Sequence, residues 1–130
     1  MRFFFIVSFI YAKINTVCKS FSARRINTML RIGMLTSGGD CQALNAAMRG
    51  VVKGICTKRD DVEIYGFQDG YKGLIYGNFS MLTPKDFSGI LTRGGTILGT
   101  SRQPFKLMRV PDADGLDKVE AMKHTYYKLN

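Results

Sequence analysis

The chain has 130 residues, 45% of them hydrophobic, and a formal net charge of +9. That length suits one domain with a modest core, and the charge does not gather into the basic stripe that nucleic-acid binding needs. Cys18, Cys41 and Cys56 are odd in number and never spaced as Cys-x-x-Cys, which speaks against a disulfide framework or structural zinc and for a reducing, cytoplasmic setting.

Residues 1–28 carry five basic groups and no acid, and they read apart from the rest. Phe3–Ala12 (FFFIVSFIYA) is an apolar run, too short for the about 20 residues of a membrane span. It fits the apolar part of a signal peptide, without a clean cleavage site after it, and the acid-free composition fits a transit peptide. Met29 stands two residues ahead of the first strand, where a cytoplasmic chain would begin. The expectation for 1–28 is therefore a leader or an over-extended start without structure, with 29–130 as the folded part.

Arg31–Leu35 (RIGML) predicts a buried strand that ends in a glycine turn. Leu44, Met48, Val51, Val52 and Ile55 then fall on one helical stripe. Val62–Phe67 (VEIYGF) is β-branched and aromatic, and predicts a second strand. Strand, helix and strand in this order make a βαβ unit with a parallel sheet. Such sheets bind ligands at the C-terminal ends of their strands, where Thr36–Asp40 and Gln68–Gly73 fall. Thr83-Pro84-Lys85-Asp86 predicts a helix start with a Thr cap and Pro at the first position, running to near Leu91. Thr92–Pro104 is glycine-studded, with two arginines. A last helix is predicted from Pro111 or Asp114, with Leu116, Val119, Met122 and Tyr126 along one side.

Thr36-Ser37-Gly38-Gly39-Asp40 carries the first chemical signal. Its glycines let backbone N–H groups approach a ligand, and the helix N-terminus behind it favours an anion. It is neither Gly-x-x-x-x-Gly-Lys-Ser/Thr nor Gly-x-Gly-x-x-Gly, so a purely structural strand–helix connection stays open on these residues alone.

The longer run Ile32–Val52 (IGMLTSGGDCQALNAAMRGVV) resembles the opening strand, loop and helix of the phosphofructokinases. Gly66–Leu74 (GFQDGYKGL) and Arg93–Arg102 (RGGTILGTSR) are similar to two further segments of that family, in order and spacing. The resemblance implies an α/β fold, a Rossmann-like parallel sheet with flanking helices, of which only the first part is present. It implies phosphoryl transfer from ATP, or in some branches pyrophosphate, to the 1-hydroxyl of fructose 6-phosphate, by a homo-oligomer in the cytoplasm with no nucleic acid or membrane partner.

By the same resemblance, Gly39 matches the glycine whose backbone meets the phosphoryl donor. Tyr71 aligns with the tyrosine near the adenine, its other reading being a packed loop aromatic. Arg102 matches the arginine that reaches the donor's phosphates. Arg49 and Lys53 align with helix positions for a nucleotide effector, and an ordinary solvated basic face is the competing account. Cys41-Gln42 stands where Ala-Pro is commoner and Ala43 where glycine is, a variation similar to the pyrophosphate-using branch. The family's Mg²⁺-associated loop and its catalytic carboxylate have no counterpart here, so the Mg²⁺ ligands are expected beyond residue 130. Asp40 does not replace them, Cys41 is an incidental thiol, and His124 is a surface or packing residue. The expected role is the donor-binding part of a kinase, inactive alone; the alternative is a stand-alone nucleotide- or phosphate-binding regulatory module.

Overall fold

The apolar runs become strands that stack side by side. The computed structural model describes residues 29–39, 41, 43–103 and 107–130, and the backbone of 3–7. Its elements are strands β1 (Phe3–Val7), β2 (Leu30–Leu35), β3 (Val62–Phe67) and β4 (Phe79–Leu82), and helices α1 (Ala43–Cys56), α2 (Tyr71–Tyr76) and α3 (Lys118–Leu129), with a 3-10 turn at Pro84–Phe87. The sheet order is β1-β2-β3-β4. The first three strands are parallel, and β4 runs antiparallel to β3.

The predicted β2–α1–β3 unit is present, and the sheet adds two strands to it. Residues 1–28 are expected without structure, yet Phe3–Val7 pairs in parallel register with Arg31–Leu35. A short run of Phe, Ile and Val is good strand material, and the free edge of β2 offers backbone groups to pair with. The other residues of that segment lie outside the described set. β4 makes the sheet mixed rather than purely parallel. The link from β3 to β4 holds only the six-residue α2 and the left-handed Gly77, and a parallel return takes a longer crossover.

Strand alternation divides the core between the two sheet faces. Met34 and Ile64 meet Met48 and Val52 of α1, together with Phe87, Ile90 and Leu98. Leu35, Tyr65 and Phe67 meet Leu74 of α2 and Leu129 of α3 on the other face. Phe79 sets its ring edge-on to Phe67 and Tyr65, with centroids 5.8 and 5.7 Å apart. At the N-terminal ends of the strands Arg31 donates to Glu63 Oε2 (2.8 Å) and to the carbonyl of Leu129 (3.0 Å), holding the end of α3 to the sheet.

Two helix boundaries differ from expectation. The segment from Thr83 makes a single 3-10 turn instead of a helix to Leu91, because Ser88 is extended and Gly89 has φ +72°. The last helix opens at Lys118 rather than at Pro111 or Asp114. Gly115, at φ +74°, breaks the earlier residues into a turn, and the Asp117 carboxylate accepts from the N–H groups of Val119 and Glu120. Thr125 and Leu129 are its fully buried positions, while Leu116, Val119, Met122 and Tyr126 are half-buried.

The turn at Thr83 gives a pH-dependent prediction. The Thr83 N–H and hydroxyl both donate to Asp86 Oδ2, at 2.7 and 2.8 Å. The backbone bond first, and the hydroxyl second, hold the Asp86 carboxyl below its ordinary value. A carboxyl depressed by folding stabilises above its unfolded pKa and loses that contribution as pH falls through the folded one. The thermal midpoint should therefore drop as pH falls below about 4, and drop less in Asp86→Asn. Equal acid slopes in the two proteins would contradict the assignment.

Candidate functional site

Three elements end at the C-terminal edge of the parallel strands, and one segment fastens them together. β2 runs into the glycine turn at Thr36–Gly39, β3 runs into Gln68–Gly70, and α1 begins behind the turn. Arg93–Arg102 crosses between them as a strap. Ser101 forms a parallel bridge with Ser37, which sets Arg102 one residue past the bridge, alongside Gly38.

Hydroxyls and backbone hold this edge. Thr36 is fully buried, and its single hydroxyl proton goes to Gly99 O at 2.6 Å. Thr96, 3.1 Å away, must then donate to Thr36 Oγ1 while accepting from Leu98 N–H. Thr100 donates to Gly38 O (2.8 Å), and Ser101 donates to Asp69 O. The Asp69 N–H closes the circuit on Leu98 O (2.8 Å). Asp69 is the only described non-glycine residue at positive φ (55°), followed by Gly70 at 65°. Such backbone is costly unless its surroundings hold it.

Gly39 is exposed, and a Cβ there would meet nothing within 4 Å. Its own packing does not require glycine, whereas Gly38 needs one for its φ of +107°. Arg102 is exposed, makes no hydrogen bond or ion pair among the described residues, and follows directly on the bridge to the turn. Tyr71 opens α2 directly after Gly70, but its half-buried ring packs against the Phe67 side of the core. The fold thus brings Gly39 and Arg102 to one edge and turns the Tyr71 ring into packing.

Arg49 and Lys53 lie elsewhere. They line a cavity of about 270 Å³ between α1 and the Pro84 turn, with Cys56 and Phe87 among its other walls. Arg49 is half-buried and donates to Phe87 O (2.7 Å), while Lys53 is exposed. Burial, and then the nearby Asp60 charge, push the Cys56 thiol up, so it is a poor nucleophile at neutral pH. His124 is exposed on α3 and Cys41 is exposed before α1. No group of three or more His, Cys, Asp or Glu among the described residues is placed to hold a metal ion. These residues do not fit a Mg²⁺ site.

Four residues of the edge lie inside the motif segments but receive no role from them: Thr36, Asn45, Thr96 and Thr100. Asn45 leaves a trace in the sequence, because it falls on the buried stripe with Met48 and Val52, where an amide must find partners.

Comparison with known proteins gives the family of the chain. The family model described as Phosphofructokinase matches residues 31–128. The chain belongs to the phosphofructokinase family. The resemblance carried by the three sequence segments is thereby borne out, as is the α/β class. An ATP-dependent 6-phosphofructokinase of Spirochaeta thermophila is 53% identical over 105 residues, covering 75% of this chain and 27% of that protein. One of Aquifex aeolicus is 52% identical over 75 residues, covering 58% and 23%. The crystal structure of Pichia pastoris phosphofructokinase in the T-state matches with a TM-score of 0.57 at 30% identity, over 90% of this chain and 12% of that one. The chain therefore spans about a quarter of the length of these curated phosphofructokinases. No helix among the described residues is long and apolar enough to cross a membrane.

Proposed function

We propose that this chain is the phosphoryl-donor side of a 6-phosphofructokinase, which passes the terminal phosphoryl group of ATP to the 1-hydroxyl of fructose 6-phosphate in glycolysis. The observation that carries the reading is the seam between the glycine turn and the strap, closed by Ser37 with Ser101 and by Thr100 with Gly38. It sets a free arginine beside a glycine with open space above it, at the N-terminus of a 14-residue helix. Gly39 offers its N–H to the donor's phosphate oxygens, and Arg102 offers two parallel donors to a phosphate that gains charge on transfer. Tyr71 contributes to the adenine side through the position of α2. The catalytic carboxylate and the metal ligands belong to other parts of the enzyme, which works as a homo-oligomer with Mg²⁺ in the cytoplasm. Arg49 and Lys53 are the candidate effector pair, with Arg49 already engaged by Phe87 O.

ATP as donor is supported by the names of the relatives. Pyrophosphate is the second reading, favoured by the sequence Cys41-Gln42-Ala43. Parallel calorimetric titrations with the two donors separate them. Arg102→Ala should weaken the preferred donor by roughly 30-fold, as expected for losing about 2 kcal/mol of charge-assisted hydrogen bonding. Arg102→Lys should recover only part, since it lacks the fork. An unchanged affinity in Arg102→Ala would overturn the reading. The chain alone should form no fructose 1,6-bisphosphate, whereas a stand-alone regulatory module would bind nucleotide as a cooperatively folding protein with no need of further chain.

A further inference from the structure

Asn45 is a fully buried amide in the first turn of α1. No buried side-chain nitrogen or oxygen among the described residues lacks a partner, and the partners of Asn45 are all in the strap. Its Nδ2 donates to Arg93 O (3.2 Å) and its Oδ1 accepts from Ile97 N–H (3.0 Å). One side chain thus grips the strap at two points four residues apart, across Gly94 and Gly95, which by themselves leave the backbone loose. Thr96 within that grip, and Leu98, Gly99 and Thr100 beyond it, are each tied to Thr36, Asp69 or Gly38. Arg102 follows with no hold of its own.

We infer that Asn45 is a positioning residue that sets Arg102 against the glycine turn, so that α1, the turn and the strap meet the donor as one rigid edge. This rests on the donor-side reading above. A purely structural Asn45 would lower stability without acting through Arg102, and a double-mutant cycle separates the two roles. Asn45→Ala should weaken ATP binding by about tenfold in the otherwise unaltered chain, and by less than about twofold when Arg102→Ala is already present. An equal loss in both backgrounds, or none in either, overturns the inference. If Asn45→Ala does not fold, Asn45→Asp serves in its place, since it keeps the shape and the bond from Ile97 N–H but removes the donor to Arg93 O.

Amide hydrogen exchange gives a readout independent of ligand. The Asn45 variant should speed exchange at Leu98, Gly99 and Asp69 and in the turn at Gly38 and Gly39, with β3 and α3 unchanged. Faster exchange confined to Ile97 would overturn the inference. The two readings fail separately: if the unaltered chain binds neither ATP nor pyrophosphate, the donor-side reading falls and exchange alone decides the role of Asn45.

Discussion

Gly70→Ala is expected to lower the stability of the chain by about 3 kcal/mol and to abolish tight donor binding in whatever remains folded. Gly70 holds φ +65° and ψ −131°, a region that side chains with a Cβ avoid. A Cβ there would stand 2.4 Å from Thr36 O and 3.5 Å from Ser101 N. The obstacle is backbone on both sides, and no rotamer change relieves it. Either β3's end or the glycine turn must move, and the turn is the proposed donor site. Two measurements check this: a denaturant or thermal midpoint, and an ATP titration on the folded fraction. Near-normal values in both would show that the edge is more pliable than its hydrogen bonds indicate.

Phe67→Ala is expected to cost about 3–5 kcal/mol, the usual range for emptying a buried aromatic site. For a domain of this size that corresponds to a midpoint lowered by roughly 15 °C or more. Phe67 is 0% exposed and packs among Leu35, Leu74 and Leu129, with Phe79 edge-on beside it. Every one of those neighbours belongs to a different element, so no single segment can collapse into the space. Met81→Ala is the control. Met81 is 62% exposed on β4, and truncating it should shift stability by no more than about 0.5 kcal/mol. A similar loss for the two variants would mean that burial on this face does not hold the fold together.

The central unit was legible because its signals are local. Arg31–Leu35 and Val62–Phe67 alternate or run apolar within a few residues, and Leu44, Met48 and Val52 repeat at helical spacing, so each declares its state alone. β4 was not legible. Ser80 and Met81 face solvent, and the strand exists because Gly77 reverses the chain beside an open edge of β3. β1 was not legible for the same reason, since an apolar run says nothing of the edge it will pair with. At Thr83 the cap was read correctly but the length was not, as φ at Gly89 is a property of the folded backbone.

The candidate edge divides along similar lines. Gly39 and Arg102 were found through motif resemblance, and the fold brings their segments together. Tyr71 came from the same motif, and its ring is a packed one. Thr36, Thr96 and Thr100 lie within the same motifs without a role of their own, because a threonine whose hydroxyl bonds a distant partner looks in sequence like any other threonine.

Those distant bonds also bear on the order of assembly. The ties from the strap to Thr36, Gly38 and Asn45 join residues 48 to 63 positions apart. Contacts of such long range reward the chain only after its loops have closed, so this edge should be complete only after β2, α1 and β3 have already come together. On the proposed reading, a donor molecule that grips the turn and Arg102 at once bridges that seam, and its binding should raise the melting temperature chiefly by keeping these long-range contacts shut.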